Sequence, residues 1–301
     1  IQTEVPGNYT AATQPYPSWP EPVDRIVNDG ITEEFVIDYT PELKEQAMTI
    51  LNGFRIGGLY VPALPNTYEG EYVNNVGCQG GGNVISHPPV ADPSTGMMYN
   101  SHHRTCSAPG FMRPTNGVDR DNPNYPEPGE GGATPNSTPT TGVTVAAWLP
   151  GGGGGLPSID GLSVYKRMNN QLTAYQMNSG EKVWSLPVGE TPDEIKNHPL
   201  LQGIDVPNTG GTGFSIQMVM GDILVQTRAL SEGMAQMEPD APLTLNARDK
   251  MTGEVLGSVE LPAPGQYGMM TYMHRGKQYI VVQVGSSRTD YPGALAAYAL
   301  P

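Results

Sequence analysis

Three stretches of this chain repeat one short pattern: Val90-Ala-Asp-Pro-Ser-Thr-Gly96, Ala174-Tyr-Gln-Met-Asn-Ser-Gly180 and Ala247-Arg-Asp-Lys-Met-Thr-Gly253. Each has a small apolar residue, an Asp or Gln two places on, and Ser/Thr-Gly at a fixed offset. The pattern describes a turn. The Asp or Gln side chain can accept from the amides of the bend, and the glycine supplies the positive φ that other residues resist. Strand-like segments flank the copies, Leu172-Thr-Ala-Tyr175 before the second and Lys182-Val-Trp-Ser-Leu186 after it. Each copy therefore reads as a β-hairpin of the length used in propeller blades, and such units must be read as an array.

Composition agrees. Glycine (38) and proline (30) together make more than a fifth of the 301 residues, and much of this sits in turns between alternating apolar strands. An all-β, loop-rich protein is the reading. A net charge of −14 argues against nucleic-acid binding, which needs a basic surface. No apolar run is long enough to cross a bilayer as a helix. The start Ile1-Gln-Thr-Glu4 has neither a methionine nor a basic leader, so it is read as belonging to a mature or processed product.

Along the chain, residues 1–30 are polar and proline-rich and should run as an extended strap. Residues 41–53 predict one helix. Thr40 is the N-cap, Pro41 sits at the first position, Gly53 is the stop, and Leu43, Ala47, Ile50, Leu51 and Phe54 form one apolar face that packs on the main body. Residues 107–160, with five glycines at 151–155, read as a long Gly/Pro-rich excursion over one face. From about residue 162 strands and turns alternate to the end, with a last hairpin turning at 274–277 and a final strand over 295–300. Trp184 reads as a residue that docks one blade on the next; Gly257 stands in its place after the third turn.

The two cysteines, Cys78 and Cys106, are separated by 27 intervening residues and lack metal-type spacing. A disulfide and a pair of buried free thiols are both open; the glycine-rich turn beside Cys78 favours the disulfide and an oxidising compartment. His102 and His103 are adjacent on an extended segment, so their side chains point to opposite faces and cannot easily share one metal ion. The loop Gly210-Gly-Thr-Gly-Phe-Ser215 is glycine-rich, but no helix follows it, which argues against a phosphate cradle.

Several stretches, taken in order, resemble the pyrroloquinoline quinone (PQQ)-dependent dehydrogenases. They are Gln14-Pro-Tyr-Pro17, Tyr39-Thr-Pro-Glu-Leu43, Gly77-Cys-Gln-Gly-Gly-Gly-Asn83, Asp92-Pro-Ser-Thr-Gly96, Glu190-Thr-Pro-Asp193, Asn197-His-Pro199, Gly253-Glu-Val-Leu256, Leu261-Pro-Ala263, Met270-Thr-Tyr272 and Gly276-Lys-Gln-Tyr-Ile-Val-Val282. The resemblance is to the C-terminal half of that family and covers nearly all of residues 1–301. It implies an eight-bladed β-propeller of which this chain supplies about four blades. The ring would be completed by the N-terminal half, as a separate chain or a missing segment, because half a propeller leaves open sheet faces.

The resemblance also implies an activity: oxidation of a sugar or alcohol by hydride transfer to PQQ, with electrons passed on to a quinone or cytochrome. In the family a calcium ion polarises the quinone and an aspartate acts as base. Both the base and the metal ligands fall in the N-terminal half, so no catalytic or metal-binding residue is assigned in this chain. Asn83 matches a cofactor-bonding asparagine, and Gly81 and Gly82 let backbone approach a flat ligand. Val84 replaces the tryptophan usual after that asparagine, and Phe214 stands where relatives often place a polar group. Arg288, with Asp290, lies in a loop that could face the cofactor. Cys78 and Cys106 match a disulfide found in some relatives, which implies a periplasmic or secreted protein. A non-enzymatic propeller that acts as an assembly or binding scaffold is the rival reading.

Overall fold

The computed structural model describes residues 33–56, 67–68, 71–72, 75–80, 88–107, 111–112, 149–150, 156–166, 168–211, 213–230, 241–286 and 290–300. The expected strap over 1–30, most of the 107–160 excursion, and Gly81, Gly82, Asn83 and Arg288 lie outside the described residues. The chain divides into two compact units.

The first unit comprises residues 1–19, 28–80 and 105–166. It holds helix α1 (Pro41–Leu51), whose N-cap is Thr40: its hydroxyl accepts from the Leu43 amide at 3.2 Å, and Pro41 occupies the first turn, where no N–H is needed. Leu43, Ala47 and Leu51 are the buried face. The helix ends two residues before the expected Gly53. Its last turn closes through the Asn52 and Gly53 amides onto the Met48 and Ile50 carbonyls, so a left-handed glycine is not required. Ile50 and Phe54 are only partly buried. Short strands make up the rest: β1 (Arg55–Ile56), β2 (Thr67–Tyr68), β3 (Glu71–Tyr72), β4 (Asn75–Gly80), β7 (Phe111–Met112), β8 (Leu149–Pro150), β9 (Ser158–Ile159) and β10 (Leu162–Ser163). Within the span 107–160, β7 and β8 pair antiparallel.

The second unit comprises residues 20–27, 81–104 and 167–301 and carries all three repeats. Strands β5 (Val90–Asp92), β6 (Met97–Ser107, its last residues in the first unit), β11 (Met168–Gln176) and β12 (Lys182–Pro187) form a four-stranded antiparallel meander. The second meander is β13 (Phe214–Met220), β14 (Ile223–Ala229), β15 (Thr244–Asp249) and β16 (Val255–Glu260). Among the described residues the third has three strands, β17 (Gly265–His274), β18 (Lys277–Val284) and β19 (Ala294–Ala299). Each repeat forms a hairpin turn as expected, but two of the three copies fall in the first meander, one in the second and none in the third. Between β12 and β13 lies a one-turn helix, α2 (Asp193–Lys196).

Apolar faces of successive blades bury one another. Met97, Tyr99, Leu172, Ala174, Val188 and Leu224 form the core between the first and second blades. Ile216, Val225, Leu245, Leu261, Ile280, Val282 and Val284 form it between the second and third. A fully buried Leu or Val such as Leu172, Leu224 or Val282 contributes about 1.5–3 kcal/mol over its exposed state.

Because the strands alternate in direction, the unit has two ends of different character. All three repeat turns lie at one end. In each, the glycine amide reaches back four residues to a carbonyl: Gly96 to Asp92 at 2.9 Å, Gly180 to Gln176 at 2.7 Å and Gly253 to Asp249 at 2.8 Å. The glycines have φ of +70°, +77° and +78°. The side chains of Asp92, Gln176 and Asp249 accept from amides two residues on, at 3.0, 3.1 and 2.7 Å.

The turns also join the blades. Trp184 lies over the third turn and donates to the Lys250 carbonyl at 3.4 Å, with its ring 5.9 Å from Tyr99. Lys250, buried in that same turn, places its ammonium 2.9 Å from the buried carboxylate of Asp92 in the first. Donors from Ser94, Lys250 and Thr95 hold the Asp92 carboxyl far below the usual carboxylate range, and Asp92 holds Lys250 above the usual lysine value.

Candidate functional site

The opposite end of the second unit is where β6, β12, β14 and β18 finish and β11, β13 and β17 begin, so it carries the long connections. Residues at strand ends are held by the sheets while their neighbours turn into loops, which suits a binding site. The loop between β12 and β13 is tied down by its own polar groups. The Thr209 amide donates to the Thr191 hydroxyl at 2.9 Å, and the Gly210 amide to Asn208 Oδ1 at 2.9 Å. Gly210 takes φ +78° and lies so close to the backbone of Asn170 that a Cβ there would collide with it. Gly213, at φ +92°, approaches the Ala229 carbonyl in the same way.

Around these glycines is a buried polar cluster. Asn170 is fully buried, and its Oδ1 accepts from the Ser101 hydroxyl at 3.3 Å and the Ser215 hydroxyl at 3.4 Å. The Ser215 amide donates to Ser101 Oγ at 2.8 Å, linking the first two blades. Gln226 carries the chain onward, donating to Ser215 Oγ at 3.2 Å and accepting from Arg248 Nε at 3.0 Å. Arg228, at the end of β14, is buried with its guanidinium against Gly189, where a Cβ would lie 2.9 Å from its central carbon. Gln266 is buried at the start of β17.

Among the buried amide nitrogens without a protein acceptor are Asn170 Nδ2 in this cluster and Gln266 Nε2 at the start of β17. A buried N–H without a partner costs about 1–3 kcal/mol, so such groups mark a place where water or a ligand completes the bonding. The cluster supplies donors and two fixed positive charges, Arg228 and Arg248. The one buried carboxylate among the described residues is Asp92, at the other end of the blades. This arrangement can hold and orient a polar or anionic ligand; among the described residues it holds no buried acid or base to move a proton.

The histidines behave as their spacing predicts. His102 Nε2 lies 2.8 Å from the Thr173 hydroxyl, while the His103 ring packs 4.7 Å from Phe214 in another blade. Burial pushes the His103 pKa down. Phe214 therefore serves as a packing surface for an imidazole. Of the sequence candidates, Asp290 is exposed. Cys78 lies in β4 and Cys106 in β6, which pair antiparallel with Gly77 opposite Ser107 and Gly80 opposite Thr105, so the two cysteines lie on adjacent strands at an irregularity in the pairing. Cys106 is buried, and among the described residues there is no free cysteine. Asn170, Arg228 and Gln266 were not signalled by any motif. No helix among the described residues is long and apolar enough to cross a membrane.

Comparison with known proteins gives a consistent family. Residues 1–280 match the PQQ family model described as glucose/ethanol/alcohol dehydrogenase, β-propeller domain. The glycerol dehydrogenase large subunit of Gluconobacter thailandicus is 30% identical over 195 residues, which is 60% of this chain and 23% of that protein. The same subunit from Gluconobacter oxydans (strain 621H) is 29% identical over the same shares. The matched stretch thus spans about a quarter of the length of these relatives. Among solved structures, quinohemoprotein alcohol dehydrogenase from Comamonas testosteroni aligns with a TM-score of 0.37 and 17% identity, covering 71% of this chain and 25% of its own. Quinohemoprotein alcohol dehydrogenase ADHIIG from Pseudomonas putida HK5 aligns with a TM-score of 0.34 and 14% identity, covering 73% and 24%.

Proposed function

Since the chain belongs to the PQQ-dependent glucose/ethanol/alcohol dehydrogenase β-propeller family, we propose that it is part of a dehydrogenase that oxidises a sugar or alcohol and passes the electrons to a quinone or cytochrome. When bound, PQQ supplies the hydride-accepting centre. The observation that carries the reading is the buried donor cluster at the loop end of the blades, where Asn170 Nδ2 lacks an acceptor, as does Gln266 Nε2 at the start of β17, and the Arg228 guanidinium is buried at the end of β14. A flat quinone bearing carboxylates fits that donor set, and the close packing of Gly210 on the Asn170 backbone and of Gly213 on the Ala229 carbonyl fixes the loops around it.

In this proposal Asn83, Gly81, Gly82 and Arg288 bind the cofactor together with Asn170, Arg228 and Gln266. The residues of this chain bind and orient; the base and the calcium ligands come from the N-terminal half, carried by another chain or another part of a longer one. The two relatives being large subunits supports a particle of more than one chain. The positions of Cys78 and Cys106 on adjacent strands support a disulfide between them, and with it a periplasmic or secreted location. The test is to add PQQ and calcium to the native particle and follow both quinone absorbance and reduction of a redox dye by simple alcohols and sugars. Binding with substrate-dependent dye reduction is the expected result; a particle that takes up no PQQ contradicts it.

A further inference from the structure

We infer that Arg248 is a positioning residue: acting through Gln226 and Ser215, it fixes the Asn170 side chain so that an N–H, and not the oxygen, is offered to the ligand. The ligand atom seated there is then an acceptor, a carboxylate or carbonyl oxygen. The inference deepens the function proposed above and rests on it for the identity of the ligand. It starts from an ambiguity. A carboxamide can be turned end for end, so whether a buried Asn donates or accepts is decided by its neighbours.

The decision begins in β15. A guanidinium carries donors and no acceptor. Arg248 is buried, and it places Nη1 on the Gly253 carbonyl at 2.8 Å and Nε on Gln226 at 3.0 Å. Gln226 must therefore turn Oε1 toward Arg248. The same oxygen accepts from Asn246 Nδ2 at 3.3 Å, and Asn246 is held in turn by the Ser258 hydroxyl, which donates to its Oδ1 at 2.6 Å. With its oxygen so placed, Gln226 presents Nε2 to Ser215 Oγ at 3.2 Å.

The polarity then passes to β11. Ser215 Oγ accepts from Gln226, and its one proton goes on to Asn170 Oδ1 at 3.4 Å. Ser101 is set in the same way: its Oγ accepts from the Ser215 amide at 2.8 Å, and its proton goes to Asn170 Oδ1 at 3.3 Å. Ser101, Asn170 and Ser215 are all fully buried. Turning Asn170 round would leave both hydroxyl protons without an acceptor, which a buried network strongly disfavours. Oδ1 therefore faces the serines and Nδ2 faces away from them, where it has no protein acceptor. Whatever completes the bonding at that point must bring a lone pair. A carboxylate or carbonyl oxygen of a quinone does so, and an ammonium does not.

Neutron diffraction from deuterium-exchanged crystals of the native particle reads this polarity without any ligand. The expected map has the Gln226 deuterons on the Ser215 side, both serine hydroxyl deuterons pointing at Asn170, and the free Asn170 deuterons on the far side. Asn170 deuterons on the serine side overturn the inference. Titration with PQQ in calcium supplies the second arm. Asn170→Ala should weaken binding at least ~10-fold. Gln226→Glu should do the same although it keeps its bond to Arg248, because a carboxylate cannot donate to Ser215 and draws that hydroxyl proton away from Asn170. In the Asn170→Ala background Gln226→Glu should have no further effect, since it acts through Asn170, whereas a merely structural Gln226 would add its full loss. Additive losses, or undiminished affinity in Asn170→Ala, overturn the inference. Deuterons placed as expected in a particle that takes up no PQQ overturn the quinone as ligand and leave the polarity standing.

Discussion

Replacing Gly253 by alanine probes the docking of one blade on the next. Gly253 has φ +78°, and an alanine there costs about 1–2 kcal/mol in backbone strain alone. Its Cβ would also stand 3.2 Å from the Trp184 ring and 2.5 Å from Leu186 Cδ1. Overpacking of that kind adds about 1–3 kcal/mol, for a total of about 2–5. Trp184→Ala removes the ring; a buried Trp→Ala change costs about 3–5 kcal/mol, so this half-buried one should cost roughly 2–3. With the ring gone, Leu186 can swing into the space, and Gly253→Ala should then cost only the backbone strain. Urea unfolding of the two single variants and the double variant should therefore show a coupling of about 1–3 kcal/mol that favours the double. Additivity within ~0.5 kcal/mol would mean that Trp184 and Gly253 do not support each other, and the docking account would fail.

Three further outcomes follow from the same geometry. The lowered Asp92 pKa contributes stability that is present above the ordinary aspartate value and lost as pH falls below about 4; the raised Lys250 pKa contributes stability lost as pH climbs beyond about 10.4. Asp92→Asn should lower the melting midpoint at neutral pH and flatten both limbs of its pH dependence, and an unchanged acid limb would refute the role of the pair. Cys106→Ser should destabilise by about 3–4 kcal/mol if Cys78 and Cys106 close their loop, and reductant should then have no further effect on the variant's unfolding midpoint. Gly210→Ala, strained in backbone and driven against Asn170, should cost about 2–5 kcal/mol in denaturant unfolding and weaken PQQ uptake, whereas Gly203→Ala, equally strained at φ +78° but in open space, should cost only the backbone share.

The repeats were legible because turn chemistry is local. An Asp or Gln, a Ser/Thr and a glycine at fixed offsets specify the bend whatever surrounds it, and all three copies fold as hairpins. Thr40 and Pro41 fixed the start of α1 for the same reason, but its end was set by backbone closure onto Met48 and Ile50 rather than by Gly53. Trp184 could be read as a docking residue from its offset alone. Its partners could not, since the Asp92–Lys250 pair joins residues 158 positions apart in sequence. The site was less legible still. Asn170, Gln226 and Arg228 sit in strands where they resemble any polar residue of a sheet, and only their burial and their bonding partners distinguish them. Asn170 gains its role only because the fold brings Gly210 and Ser101 against it.

The central claim is that the loop end of these blades holds PQQ within a completed propeller. Equilibrium dialysis of PQQ against the native particle, in calcium, measures it most directly, with an Arg228→Gln variant alongside. The account predicts saturable binding of about one PQQ per chain by the native particle, weakened at least ~10-fold in the variant, which loses a charge-assisted donor worth about 1.5–3 kcal/mol. Absence of binding by the intact particle, or equal affinity in the variant, would contradict it.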